Sequence, residues 1–272
     1  MLEVKQITPN QILNNKNRLE DYLEEELSSL IKKDSWMTEW KSIAQRFKML
    51  EFKEKSNEEI KEHEWNVEQI SKIIEETIYN VNQYLNFNKI RVTVVPALPF
   101  RFFQDHPQSL WTNAFTNGSE NIIIAIPPKP NLDFFKYLLA HEGHHASPEN
   151  PIYNLTMSTF TLEEWYKMEG TAEYFSLSLY PDYRWWKDYF SSDVEKKYWN
   201  ECKDYLKSTD DHIKSPLCFG SEQLGIPVFS GYSFALRLVS NFVSKNDVKD
   251  IRKLFSVDAN RFIECYKENV SK

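Results

Sequence analysis

The segment that most constrains this chain is residues 141–145, which read HEGHH. His141 and His145 are four residues apart, and on an α-helix this spacing places two imidazoles on one face, where both can bind one metal ion. Glu142 follows the first histidine, where its carboxylate can take a proton from a water that zinc has made more acidic. The pattern therefore predicts a zinc-binding helix with Glu142 as general base. The alternative is a helix whose histidines are solvated.

The flanking residues favour a helix over residues 132–146. Asn131 has the side chain of an N-cap, and Asp133 lies in the expected first turn, where the helix dipole favours an acid. Gly143 costs about 1 kcal/mol relative to alanine in a helix interior. It therefore marks either a close approach of another backbone or open space beside the metal. His144 is expected to turn away from the metal.

A catalytic zinc ion usually has three protein ligands, so a third ligand is expected downstream. Residues 161–175 read TLEEWYKMEGTAEYF, in which Thr161 and Glu164 form a capping box that begins a helix. Glu169 and Glu173 lie one turn apart on one face of that helix. One carboxylate can bind the metal, and the other can accept the second N–H of a ligating histidine. The alternative is an ordinary solvated acidic pair.

HEGHH at 141–145 followed by MEGTAEYF at 168–175 resembles the gluzincin pattern. It resembles more closely the predicted zinc-dependent proteases of the bacterial YjaZ type. The later pair Gly231 and Tyr232 also matches an element of that family. The resemblance spans roughly residues 90–245 in motif order. It implies a zincin-like fold and hydrolysis of peptide bonds.

The resemblance also implies a role for each motif residue. His141, His145 and Glu169 become the ligands of one zinc ion per chain. Glu142 becomes the general base that acts on a zinc-activated water and later gives a proton to the leaving amine. Glu173 is expected to hydrogen-bond a ligating histidine, His141, from outside the ligand set.

A donor for the developing oxyanion is also needed. Tyr232 is the first candidate, because several zinc peptidases place a tyrosine or histidine from a later helix over the metal. The alternative for Tyr232 is an ordinary core tyrosine. His212 is the second candidate, and the alternative there is a solvated histidine in a polar stretch.

Substrate binding is expected along a sheet edge, because an extended peptide can pair with an exposed strand. Residues 121–126 are the predicted edge, since they lead into the helix of the HEGHH segment. Asn113 and Ala114, in the run NAF, resemble a substrate-backbone-binding segment of thermolysin-like enzymes. An aromatic stretch either lines a pocket or belongs to the core: Tyr183, Trp185, Trp186, Tyr189 and Phe190.

Hydrophobic patterning predicts a mostly helical α+β protein. Residues 1–88 carry apolar stripes at helical spacing and form the predicted N-terminal helical region. Residues 89–272 form the predicted zincin-like, gluzincin-type catalytic domain, and the two are expected to pack as one unit. Short β-branched runs at 90–95 and 120–128, each closed by proline, predict a small sheet. Helical patterns follow at 132–146, 162–179, 184–207, 229–244 and 247–269.

Composition narrows the range of molecules that this chain is expected to bind. The net charge is −7 and no basic face is evident, which argues against a nucleic-acid partner. Three widely spaced cysteines form no zinc or disulfide pattern. No signal peptide or membrane span is evident, so a cytoplasmic protein without a membrane partner is expected. A peptide or protein substrate is expected, and the oligomeric state stays open.

The sequence leaves two other functions open. The first is a catalytically inactive zinc-binding domain that acts as a regulator or scaffold. The second is an amidase that acts on a non-peptide substrate through the same chemistry. A fourth protein ligand on the metal would favour the first, and a comparison of peptide and small amide substrates would separate the second.

Overall fold

The structure, a computed structural model, describes residues 1–98, 111–155, 159–181 and 183–270. It has the predicted mostly helical α+β composition with a small mixed sheet. Two compact units divide the chain, Met1–Tyr153 and Asn154–Lys272. The predicted boundary between residues 88 and 89 falls inside the first unit, and as a functional division it stays a prediction. Within the described residues, no helix combines the length and apolar character that crossing a bilayer requires.

The sheet of the first unit contains β1 (Leu2–Gln6), β2 (Ile90–Pro96), β3 (Asn113–Thr116) and β4 (Asn121–Ile126), in the order β1-β2-β4-β3. The β1–β2 and β2–β4 pairs are parallel, and β3–β4 is antiparallel. The prediction that residues 121–126 form the edge is therefore wrong. β4 is an unbroken buried run, which is typical of an interior strand. In the described sheet, β3 is the outer strand on that side.

Helices cover both faces of this sheet. On one face, α5 (Val67–Leu85) packs against α6 (Leu132–Ala146), and α6 also contacts β3 and β4. On the other face, Ile123 and Ala125 of β4 join a core built by the N-terminal helices. These are α1 (Pro9–Asn14), α2 (Leu19–Leu27), α3 (Trp40–Arg46) and α4 (Asn57–Lys61). The N-terminal helices therefore complete the core of the sheet.

The N-terminal region differs from its prediction in two respects. Residues Leu2–Gln6 form β1, a strand that pairs with Ile90 and the residues after it, so residues 1–88 are not wholly helical. One of the apolar stripes of this region, formed by Trp36, Trp40, Ile43, Phe47 and Leu50, has helical spacing in the sequence but does not lie on one helix. Lys48 adopts a left-handed conformation with φ of 55°, which separates α3 from the 3-10 helix that follows.

The second unit consists of helices: α7 (Leu162–Leu179), α8 (Ser192–Cys202), α9 (Asp211–Phe219), α10 (Ser230–Asn246) and α11 (Ala259–Val270). α7 packs against α10 and α11. The prediction of a helix over residues 162–179 is confirmed, whereas the helices predicted over 184–207 and 247–269 are shorter in the structure and α9 was missed.

Short 3-10 helices occur in the described residues of both units: Lys16–Arg18, Ser28–Leu30, Met49–Glu54, Pro151–Asn154, Lys187–Tyr189 and Ile251–Ser256.

Candidate metal centre

Helix α6 begins and packs as its sequence predicts. The Asn131 side chain accepts hydrogen bonds of 3.0 Å from the backbone N–H groups of Asp133 and Phe134, which confirms it as the N-cap. A Cβ on Gly143 would lie 3.0 Å from Cγ1 of Val81 in α5. The neighbour of Gly143 is therefore a side chain of α5, which is neither the close approach of another backbone nor the open space that the sequence led us to expect.

The two outer histidines of the HEGHH segment face each other. The Nε2 atoms of His141 and His145 lie 3.0 Å apart, and their ring centroids are 4.7 Å apart. Both rings are buried. His144 is fully buried, with its ring centroid 6.1 Å from that of His145. Among the described residues, the group that can hold a metal includes His141 and His145 but not His144.

Helix α7 carries the carboxylate of the candidate metal group. It begins with the predicted capping box, in which Thr161 and Glu164 exchange side-chain and backbone hydrogen bonds. Glu169 on this helix is buried. His141, His145 and Glu169 each offer one ligand atom, and these atoms all lie within 4.8 Å of one another.

This donor set fits a zinc ion. Two imidazoles and one glutamate are the protein ligands of a well-known class of catalytic zinc sites, which keep a fourth position open. With metal–donor bonds of about 2.0–2.2 Å and tetrahedral angles, donor atoms lie about 3.4 Å apart. The 3.0 Å between the imidazole nitrogens and the 4.8 Å bound on the whole group are close to that spacing.

Glu142 is held by a strand residue that sequence reasoning missed. The Thr116 hydroxyl lies 2.6 Å from Oε2 of Glu142 and 3.0 Å from the Glu142 backbone carbonyl. Both residues are buried. Thr116 is the last residue of β3, so the bond joins the outer strand to α6. The sequence carries no signal for it, because β3 lies in a stretch without alternating hydrophobicity.

Tyr153 is a second group that sequence reasoning missed. Its phenol oxygen is buried and makes no hydrogen bond within the described part of the chain. Burial, together with the negative charges of Glu142 and Asp34, raises the pKa of the Tyr153 phenol well above its usual value. A phenol with a raised pKa keeps its proton, so the Tyr153 hydroxyl can donate a hydrogen bond.

Glu173 is almost fully buried, at 1% exposure. Its Oε2 lies 3.7 Å from Nε of Arg184, which is also largely buried. The predicted role of Glu173 toward His141 stays a prediction. Its charge is balanced in part by this arginine, which no sequence motif indicated.

The other predicted site residues have distinct surroundings. Tyr232 lies in α10 within a cluster of aromatic rings, with its centroid 5.0 Å from that of Trp165. His212 is exposed in the first turn of α9. Asn113 and Ala114 begin β3 and pair with β4. The other rings of the aromatic cluster around Tyr232 are Trp185, Trp186, Phe219 and Phe229.

A buried group of two histidines and one glutamate, with a further glutamate beside the first histidine, defines a class of candidate zinc-dependent hydrolases. The chain belongs to the family described as predicted Zn-dependent protease (DUF2268), whose model matches residues 70–264. The family description implies zinc and, in broad terms, a peptide or protein substrate. No curated protein matches the chain, and no solved structure matches it.

Proposed function

We propose that this chain is a zinc peptidase with a zincin-like, gluzincin-type fold that binds one zinc ion and hydrolyses peptide bonds. One observation carries the proposal: His141, His145 and Glu169 present buried ligand atoms within 4.8 Å of one another, and Glu142 is the next residue after His141. The membership of a family described as zinc-dependent proteases supports it.

In this proposal His141, His145 and Glu169 hold the metal. Zinc, when bound, supplies Lewis-acid chemistry that makes a water molecule more acidic and polarises the substrate carbonyl. Glu142 takes the proton of the attacking water and later gives it to the amine that leaves. Its burial, at 7% exposure, keeps bulk water from competing for that proton.

Tyr232 is the proposed donor to the developing oxyanion. A phenol can donate a hydrogen bond, and the surrounding rings limit the Tyr232 side chain to few orientations, which favours a positioned hydrogen bond. Glu173 is proposed to orient His141 by accepting its second ring N–H. The exposed position of His212, at the start of α9, gives it no such confinement, so Tyr232 is preferred.

The substrate is proposed to bind in an extended form along β3. This strand is the outer one of the described sheet on its side, and an outer strand offers backbone N–H and C=O groups to an added peptide. Asn113 and Ala114 lie in β3, three and two residues before Thr116, which contacts Glu142. A peptide on β3 is therefore placed beside the proposed base.

The test is peptide hydrolysis by the zinc-loaded wild type and by the Glu142→Gln variant. Glutamine keeps the shape of glutamate but cannot accept a proton, so kcat is expected to fall by a factor of about 100 or more, while one zinc per chain is retained. Elemental analysis of both proteins measures the metal. A variant that cleaves as fast as wild type contradicts the mechanism.

The same experiment separates the two alternatives. A zinc-loaded wild type that cleaves no member of a broad peptide library but hydrolyses small amides indicates an amidase. Zinc binding without any hydrolysis, with four protein ligands by X-ray absorption, indicates a regulatory or scaffold domain.

A further inference from the structure

The carboxylate of Glu142 has one oxygen that is already engaged. The Thr116 hydroxyl carries a single proton and lies 2.6 Å from Oε2, compared with 3.0 Å from the Glu142 backbone carbonyl. A hydroxyl donates more strongly to a charged carboxylate than to a neutral carbonyl, so the shorter contact receives the proton. This bond orients the carboxylate and leaves Oε1 as the oxygen that is not bound by Thr116.

Thr116 is in turn held in place through the hairpin turn that follows it. Residues 117–120 join β3 to β4, and this turn is bound by residues 30–37, which we call the bracing segment. The Asn117 side chain makes a reciprocal pair with Met37: the Met37 N–H donates to Oδ1 at 2.8 Å, and Nδ2 donates to the Met37 carbonyl at 3.0 Å. Asn117 is fully buried. The bracing segment thus binds the residue that follows Thr116.

The bracing segment binds the rest of the turn with charged and polar groups. Asp34 Oδ2 accepts from the backbone N–H of Ser119 at 2.9 Å and from its hydroxyl at 2.6 Å. Lys32 Nζ donates to the Ser119 carbonyl at 2.7 Å. Gly118, at φ of +90°, lies so close to Asp34 that a Cβ there would be 2.9 Å from Oδ1. The turn therefore cannot shift without breaking several of these contacts at once.

The bracing segment lies outside residues 70–264, the part that matches the family model. Nothing in the family description assigns it a role. The contacts of the bracing segment all lie on the hairpin turn that follows Thr116, and Thr116 bonds the proposed base. The bracing segment can therefore affect the reaction through Thr116.

We propose that Thr116 is a positioning residue that orients the Glu142 carboxylate, and that the bracing segment, residues 30–37, keeps Thr116 in place. This rests on the proposed function, because it concerns the same base. It gives the N-terminal region a part in the reaction without any contact to the metal or the substrate. The free oxygen of Glu142 is presented to the attacking water only while the hairpin is held.

The first experiment compares Thr116→Val with Thr116→Ser in the zinc-loaded full chain. Valine keeps the shape and the β-branch but loses the hydroxyl, so kcat is expected to fall about 10-fold with KM within about 2-fold of wild type. Serine keeps the hydroxyl and is expected to stay within about 3-fold of wild type. An unchanged kcat in Thr116→Val, or a serine variant as slow as the valine variant, overturns the proposal.

A readout that does not depend on activity uses the zinc-free protein. Thr116→Val is expected to lower the melting temperature by about 2–4 °C, and by clearly less when Glu142 is already replaced by leucine. Equal shifts in both backgrounds mean that the two side chains are not coupled, which overturns the proposal. Thr116→Ala serves in place of the valine variant if that variant fails to fold.

The role of the bracing segment is tested with Asp34→Ala and with Glu24→Ala as the control. Glu24 is an exposed acid on α2. Asp34→Ala is expected to lower kcat about 3-fold or more, and to add no further loss when combined with Thr116→Val, because both changes act through one hydroxyl. Glu24→Ala is expected to match wild type. Losses that multiply in the double variant overturn this part of the proposal.

Failure of this proposal is distinguishable from failure of the proposed function. If the zinc-loaded wild type hydrolyses no peptide, both fail. If the wild type is active and Glu142→Gln is not, but Thr116→Val equals wild type, only the positioning role fails.

Discussion

Helices α6 and α7 each carry part of the candidate metal group, but different kinds of contact hold them in their units. α6 is held through side chains: a hydroxyl from β3 binds Glu142, and the nearest obstacle to a Cβ on Gly143 is the Val81 side chain. α7 is held through its backbone, because a Cβ on Gly170 would overlap the backbone carbonyl of Ala235 in α10. A helix held by side chains can adjust to small changes, whereas one held by backbone contact cannot.

The largest expected effect concerns the two acids of α7. Glu169→Gln is expected to lower zinc affinity by more than about 100-fold, since it removes a proposed ligand. Glu173→Gln is expected to lower zinc affinity by about 10–100-fold, the range for a group that supports a ligand. Competition with a chelating dye measures both constants. The reverse order would show that Glu173, not Glu169, is the ligand from this helix.

The next effect tests the contrast between the helices directly. Gly170→Ala is expected to destabilise the protein by about 2–3 kcal/mol, because the added methyl group meets backbone atoms that cannot move aside. Gly143→Ala is expected to change stability by less than about 1 kcal/mol, because the gain in helix propensity offsets a tight contact with a side chain that can shift. Urea unfolding measures both.

Equal losses for the two alanine variants would contradict the contrast between α6 and α7. The double variant Gly143→Ala, Val81→Ala sharpens the result. Removing the Val81 methyl groups relieves the contact at 3.0 Å, so in that background the added methyl group is expected to be stabilising.

The smallest effect concerns the ion pair of the second unit. Arg184→Met leaves the buried Glu173 carboxylate with one cation fewer and is expected to cost about 1–2 kcal/mol. The matched control is Arg18→Met in the first unit. Arg18 makes two bonds of 2.9 and 3.0 Å to Glu25, but both side chains are about half exposed, so no measurable change in the urea midpoint is expected. A larger loss from Arg18→Met would reverse the comparison.

Local signals in the sequence were sufficient to predict the two helices of the site. Asn131 and the pair Thr161 and Glu164 predicted where α6 and α7 begin, because capping depends on residues only a few positions apart. The order of the strands was not predictable in this way. β3 carries one buried threonine and one buried alanine, too weak a pattern to identify a strand, and its pairing depends on contacts distant in sequence.

The supporting contacts of the site were also beyond sequence reasoning. Thr116 and Glu142 are 26 residues apart, and no spacing rule links a strand end to a helix interior. Arg184 and Tyr153 lie in segments without a motif. The candidate metal group could be predicted because each of its members belongs to a helix with a recognisable pattern. The roles of Glu173 and Tyr232, which lie outside that group, stay predictions.

The parallel pairing of β1 with β2 has a consequence for how the first unit is made. Leu2 pairs with Ile90, so β1 cannot pair with β2 until the ribosome has added the residues between them. This takes roughly ten seconds of synthesis. The burial of the apolar side chains of α1 to α4 is completed later still, because their core also includes Ile123 and Ala125. The core that α1 to α4 share with β4 therefore cannot be completed until residue 125 has been synthesised.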